Sequence, residues 1–195
     1  MTLFEVLKEV LHDTFFVMEE EREIILTEKS VESKCKQVVL HKGRGKKTLL
    51  IPIDDLVIDG QEKDLFPLFR TDKKELRSKC DYCLIYPQKQ ELFIFLIELK
   101  SDNTTGAVKQ LKATQLYLKH FIQYIVDLAI QHKLMSHTEL ENFTSIHYKG
   151  IVFSTNPALE PKSVAKKYSF LMDNENFEHI HLRCDAPHWI DAFCS

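Results

Sequence analysis

Apolar residues recur at helical spacing from the start of the chain. Leu3, Leu7, Val10, Leu11 and Phe15 form one stripe, which predicts a helix over 3–20. The acidic stretch 19–23 then reads as a solvated helix end or a loop. Beyond residue 35 the pattern changes to short apolar runs set around glycines. Val38, Val39 and Leu40 precede a turn holding Gly43 and Gly45, and Leu49, Leu50 and Ile51 follow it. That pattern predicts a β-hairpin. Residues 59–78 are polar and irregular around Pro67.

The middle of the chain is the most regular. Two strand-like runs, 81–86 and 91–100, flank a Pro-Gln-Lys-Gln turn. The second is apolar at every position over 92–97, which predicts a central strand buried on both faces rather than an alternating surface strand. A long helix is expected over 106–132, with Val108, Leu111, Leu118, Ile122, Ile125 and Ala129 on one face. Residues 148–155 (YKGIVFST) predict another buried strand, closed by Asn156-Pro157. A helix over 162–172 and a short strand over 179–183 complete the reading. No fixed-period repeat is visible. The order of elements predicts an α/β sandwich with a mixed sheet, built as one domain over 1–195.

Composition narrows the function classes. The 195 residues suffice for a real core, and 13 Phe make that core bulky and aromatic. A formal charge of −3 argues against a protein that coats nucleic acid by global charge, though a local basic face remains compatible. The N-terminal stretch lacks a basic region, apolar run and cleavage site, so no signal peptide is expected. The run 92–97 is too short to span a bilayer. Five Cys, an odd number without secretory context, point to reduced thiols and a cytoplasmic location.

Charge placement carries the chemistry. A doubly buried strand should avoid ionised groups, because an isolated buried charge costs several kcal/mol or neutralises. Yet this strand ends in Glu98-Leu99-Lys100. A period of two puts Glu98 and Lys100 on one face, roughly 6–7 Å apart. An antiparallel turn would bring Asp81, at the start of the preceding strand, beside them. Two converging carboxylates make a hard oxygen site suited to Mg²⁺ or Mn²⁺. A neighbouring lysine can orient or deprotonate water and stabilise charge on phosphate.

Asp81 followed by Glu98-x-Lys100, then a helix bearing glutamines, resembles the PD-(D/E)xK nuclease superfamily. The resemblance covers roughly residues 1–155 and departs at Cys80, where the family pattern has proline. It implies a restriction-endonuclease-like αβββαβ core, with a mixed central sheet flanked by helices. It further implies a one- or two-metal site on Asp81 and Glu98, and a catalytic lysine at Lys100. By the same resemblance Gln110 or Gln115 would stand near the site, with Tyr117 a weaker third and Glu5 or Glu9 as further carboxylates from the first helix. Gln115 also falls on the apolar helix face, unusual for an amide without a partner.

The segment 41–47 holds the sharpest basic cluster in the chain. Lys42, Arg44, Lys46 and Lys47, with two glycines among them, suit contacts to phosphates. The function expected is metal-dependent hydrolysis of phosphodiester bonds, with DNA placed ahead of RNA and no membrane partner. The alternative is a nuclease-like fold that binds nucleic acid or a protein without cutting, or a subunit of a larger assembly. Cutting both strands with one site per chain calls for a homodimer, though no interface is marked.

Other signals carry less. Cys80 and Cys83 form a CxxC without the second ligand pair that zinc needs, and at a strand start rather than the helix start of redox motifs. His179 and His181 share a strand face with no carboxylate placed near them. His188-Trp189 is expected to close a core edge. No phosphate loop, dinucleotide fingerprint or serine-hydrolase elbow is present.

Overall fold

A computed structural model describes residues 2–17, 21–58, 60–63, 77–134, 136, 145–155 and 168–194. The first helix, α1, spans Leu3–Val10 and opens on a capping box, in which Thr2 and Glu5 satisfy each other's backbone N–H groups. It is shorter than the stripe predicts. Leu11 turns extended, Asp13–Phe15 forms a single 3-10 turn, and Phe16–Val17 becomes strand β1. The β-branched and aromatic residues there pair with another strand instead of extending the helix. Residues 18–20, where the expected helix ends and the acidic stretch begins, lie outside the described residues.

The strands that follow are β2 (Glu23–Thr27), β3 (Gln37–His41), β4 (Thr48–Pro52), and the short pair β5 (Val57–Ile58) and β6 (Gln61–Glu62). Next come β7 (Tyr82–Gln88), β8 (Glu91–Leu99), helix α2 (Ala107–Gln131), β9 (Ser145–Ser154), β10 (Leu171–Met172), β11 (Glu178–Arg183) and β12 (His188–Trp189). A seven-stranded sheet runs β1-β4-β7-β8-β9-β11-β10. Its first four strands pair antiparallel, β8, β9 and β11 are parallel, and β10 turns back antiparallel. A separate three-stranded sheet has the order β12-β3-β2.

The expected hairpin between β3 and β4 does not form, because the two strands belong to different sheets. β3 pairs with β2 on one side and β12 on the other, while β4 pairs with β7 and β1. Residues 42–47 are thus a crossover between layers. Among the described residues the helices cover one face of the large sheet, and the small sheet covers the other. This departs from the expectation of helices on both sides. Of the helix expected over 162–172, residues 162–167 lie outside the described residues and 171–172 form β10.

This three-layer stack explains the unbroken apolar run. Along β8, Leu92, Ile94 and Leu96 pack with α1 and α2 residues such as Leu3, Leu111 and Leu118. Phe93, Phe95, Ile97 and Leu99 pack with Ile24, Leu26, Val38 and Leu40 of the small sheet. Each fully buried aliphatic or aromatic side chain contributes about 1.5–3 kcal/mol relative to exposure. Helix α2 seats on the sheet through Leu111, Thr114, Leu118, Ile122, Ile125 and Ala129, spaced at three and four residues.

Gly150 of β9 marks the closest approach. A Cβ there would lie 2.7 Å from the Phe177 ring and 2.9 Å from Leu111 Cδ1. Gly150→Ala is therefore expected to lower stability by about 1–3 kcal/mol through overpacking, read as a fall in the urea midpoint at unchanged slope. An unchanged midpoint would show that the helix lifts off the sheet at little cost.

Candidate active site

Strand β7 pairs with β8 so that Tyr82 faces Ile97. Extending that register by one residue sets Asp81 directly opposite Glu98. Glu98 is in phase with Ile94 and Leu96 on the helix-facing side of β8, while Asp81, at the bend before β7, also lines a small hollow with Thr27, Glu28, Asp54 and Asp55. Asp81 Oδ2 accepts a hydrogen bond from Leu99 N at 2.6 Å, which fixes the carboxylate beside its neighbour. Glu98 is fully buried. Its Oε1 meets the ammonium of Lys100, and its Oε2 has no hydrogen-bond partner among the described residues. The three residues singled out by spacing are thus brought together at one end of the large sheet.

The electrostatics of this end are unusual for a structural ion pair. Burial pushes the Glu98 carboxyl up to about 8, the charge of Asp81 adds to the rise, and Lys100 works against it. Burial likewise raises Asp81 to about 6, while the Leu99 N–H and Lys100 pull it down and Glu28 and Asp54 push it further up. Two carboxylates that disfavour each other's ionisation, with one lysine between solvent and the pair, leave a site short of positive charge.

The residues present suit a hard divalent cation. An orphaned buried carboxylate oxygen opposite a second carboxylate supplies charged oxygen ligands, and a backbone carbonyl and water can complete the shell. No group of three or more His, Cys, Asp or Glu placed to hold a metal occurs among the described residues, so the ligands they offer here are the pair Asp81 and Glu98.

Helix α2 positions this end of β7 from behind. Thr114 Oγ1 accepts from Cys80 N at 2.8 Å and donates to Gln110 O at 3.1 Å. Gln110 Nε2 donates to Lys79 O at 3.2 Å. On the other side, Ile53 N donates to Asp81 O at 2.8 Å. Gln110 therefore reaches the strand next to the site, through the backbone rather than the carboxylates. Gln115 does not occupy the buried helix position assigned to it. Thr114 does, and Gln115 is half-buried on the flank. Thr114 escaped sequence reasoning because threonine on an apolar stripe reads as a tolerated small residue. Only its spacing from Leu111 and Leu118 could have flagged it.

The basic segment lies elsewhere. β4 reaches the Asp81 end at Pro52, opposite Tyr82, so residues 42–47, which precede Thr48, sit at the opposite end of the sheet. Lys42 is buried and donates through Nζ to Lys46 O at 3.0 Å, which removes it from any phosphate contact. Lys47 approaches Glu5 at 4.0 Å. Glu5 is held in the α1 capping box, away from Asp81 and Glu98, and Glu9 is exposed. Cations near the carboxylates come instead from residues that the sequence did not single out. Lys79 pairs with Asp54 at 3.4 Å, and Lys34 pairs with Asp102 while its N–H donates to Ser101 Oγ at 2.9 Å.

The remaining candidates resolve as packing. Cys80 and Cys83 are free thiols in the helix-side core, on one side because Cys80 precedes the strand. The rings of His179 and His181 meet edge to face at 5.7 Å, and burial lowers the His181 pKa. His188 is buried, its Nε2 donates to the Arg183 carbonyl at 2.7 Å and its Nδ1 meets the Tyr168 hydroxyl at 2.9 Å, but Trp189 stands exposed. No described helix is long and apolar enough to cross a membrane. Comparison of the chain with family models, curated proteins and solved structures finds no match in any of the three.

Proposed function

We propose that this protein is a divalent-metal-dependent nuclease of the PD-(D/E)xK type, acting on phosphodiester bonds in DNA or RNA. The observation that carries the reading is the half-buried Asp81, at the start of β7, facing the fully buried Glu98 of β8, with Lys100 on Glu98. The mixed α/β architecture is compatible with it: α1, the antiparallel β4, β7 and β8, α2 and the parallel β9 come in the order that the resemblance implies, but β1–β3 and β5–β6 interrupt that succession. The small sheet covering the second face is an addition to that plan.

Asp81 and Glu98 would hold Mg²⁺ or Mn²⁺, which when bound supplies Lewis-acid activation of the phosphodiester and of water. The chain's own residues do the rest. The Leu99 N–H aims one oxygen of Asp81, leaving its other oxygen for the ion. Lys100 places a cation at the strand end, where it can meet a phosphate oxygen or the attacking water. Thr114 and Gln110 hold residues 79–80 against α2, so that Asp81 keeps its register against Glu98.

The raised carboxyl groups dictate how metal affinity depends on pH. A cation must displace the proton that Glu98 carries below about 8, and below about 6 that of Asp81 as well. The Kd for Mn²⁺ is expected to fall about tenfold per pH unit between 6 and 8, more steeply below, and to level off above. Calorimetry in buffers of different ionisation enthalpy would also read the released proton. Cleavage should vanish in EDTA. A Kd independent of pH, or cleavage undiminished by chelator, would falsify the metal reading and favour a fold that binds without cutting.

A further inference from the structure

The small sheet packs its inner face, Ile24, Leu26, Val38 and Leu40, on the large sheet. Its outer face alternates with that one and holds Ile25, Val39, His41 and Trp189. Trp189, the single tryptophan of the chain, is 58% exposed. It pairs with His41 across the β12–β3 ladder, and the two rings lie 5.0 Å apart at 30°. An indole left in water at a paired position forgoes burial that would stabilise the fold. Glu23, the next partner of His41 on β2, approaches its Nδ1 at 3.6 Å and holds the imidazole in place.

The cations of the crossover segment gather at this same corner. Residues 42–47 leave directly from His41, and Lys42 N donates to Arg22 O at 2.9 Å, which sets Arg22 beside them. The segment folds against the turn after Trp189, where a Cβ on Gly43 would lie 3.7 Å from Asp191 Oδ2. With Lys42 buried and Lys47 turned toward Glu5, the cationic residues carried by the segments that meet at this corner are Arg22, Arg44 and Lys46, and the carboxylates there are Glu23, on His41, and Asp191, near Gly43. At its other end the face reaches Thr27, whose backbone N–H and C=O both bond the hydroxyl of Tyr82, next to Asp81.

We propose that Trp189 and His41 form a base-stacking platform for single-stranded nucleic acid, with Arg22, Arg44 and Lys46 meeting its phosphates. Every base presents a π-face, so such a platform tolerates any sequence, and neighbouring cations supply a salt-dependent share of affinity. The basic residues of the two flanking segments, Arg22, Arg44 and Lys46, supply charge that a polyanion can meet. The proposal rests on the nuclease reading only in naming its substrate class. The platform lies at the opposite end of the sheet from Asp81 and Glu98, and its binding needs no metal.

The test uses the full chain in EDTA, so that nothing is cut. A single-stranded oligodeoxynucleotide, the matching oligoribonucleotide and the corresponding duplex are titrated, with Trp189 fluorescence and the anisotropy of a labelled strand read together. Saturable quenching by single strands, stronger than by duplex, is expected, and comparison of the two single strands shows which sugar is preferred. Trp189→Ala should weaken binding about tenfold or more, and Trp189→Phe should restore most of it. Arg44→Ala and Lys46→Ala should each flatten the slope of log K against log salt by ~0.7. Because the indole is exposed, circular dichroism should show each variant folded. Binding that leaves Trp189 fluorescence and the Trp189→Ala affinity unchanged would overturn the platform. So would equal preference for duplex, or a fluorescence change tracking self-association without nucleic acid. Should binding behave as expected while no substrate is cut under any metal, the platform stands and the nuclease reading falls.

Discussion

Lys100→Ala is expected to lower cleavage by on the order of 10²-fold or more, as removal of a preorganised charged group does in other active sites. The structure adds a second effect. Lys100 is the cation that holds the buried Glu98 carboxyl down. Without it that carboxyl rises further, and the metal must displace a more tightly held proton. Metal affinity at pH 7 should therefore drop as well, and recover as pH is raised. Lys100→Arg keeps the charge on Glu98 and should preserve metal affinity while cutting more slowly, since the planar guanidinium cannot give up a proton. Nicking rates and metal titrations at pH 7 and 9 separate the two contributions. A Lys100→Ala protein that cuts as fast as wild type at both pH values would remove Lys100 from the chemistry.

Asp81→Asn is expected to stabilise the metal-free protein above pH 7 while abolishing its response to metal. Asp81 and Glu98 titrate at about 6 and about 8 in the folded protein. Both are raised above the ordinary carboxyl values of roughly 4. Between roughly pH 4 and 8 the folded chain thus holds more protons at this site than the unfolded chain, so stability falls as pH rises through that window. An amide at position 81 can still accept the Leu99 N–H, and it removes the charge that disfavours ionisation of Glu98. At pH 8 in EDTA the variant should gain about 1–3 kcal/mol, a rise in Tm of roughly 2–4 °C for each. At pH 4 the two proteins should melt together. Mg²⁺ should raise the Tm of wild type at pH 8 and leave the variant unchanged. A variant less stable than wild type at pH 8 would show that the pair is compensated as it stands.

How much of this was legible from residues alone depended on what each signal measures. The run 92–97 announced a strand buried on both faces because no surface strand can carry six apolar residues in a row, and β8 is that strand. Helix α2 was legible for the same reason, its period repeating along its whole length. The convergence of Asp81, Glu98 and Lys100 needed only the hairpin between two strongly marked strands. The β3–β4 hairpin failed because glycines between two apolar runs report a bend, not which strands pair after it. The difference shows only in burial: β2 alternates exposed and buried along Glu23–Thr27 as β3 does, whereas β4 is buried or half-buried throughout, and their sequences EIILT and TLLIP carry the same run of three apolar residues. Lys42 could not be recognised as buried, since a lysine inside a basic cluster looks like its neighbours. The supporting roles of Thr114 and Lys79 depend on backbone groups, which leave no mark in a sequence.

The parallel pairing of β3 with β12 gives the molecule a direction in time. During synthesis β2 and β3 emerge early, yet the strand that completes their sheet is made only at residues 188–189. Ile190 and Phe193, which fill the space between the two sheets, follow directly after it. Until then the inner faces of β2 and β3 have an open edge and an unfilled floor, whatever the large sheet has achieved. The entropic cost of closing so long a loop is met in a single late step. The carboxylate end, whose neighbouring strand β9 closes at Ser154, is therefore made before the opposite end, whose strand β12 begins at His188, and that interval is one in which a chaperone has something to hold.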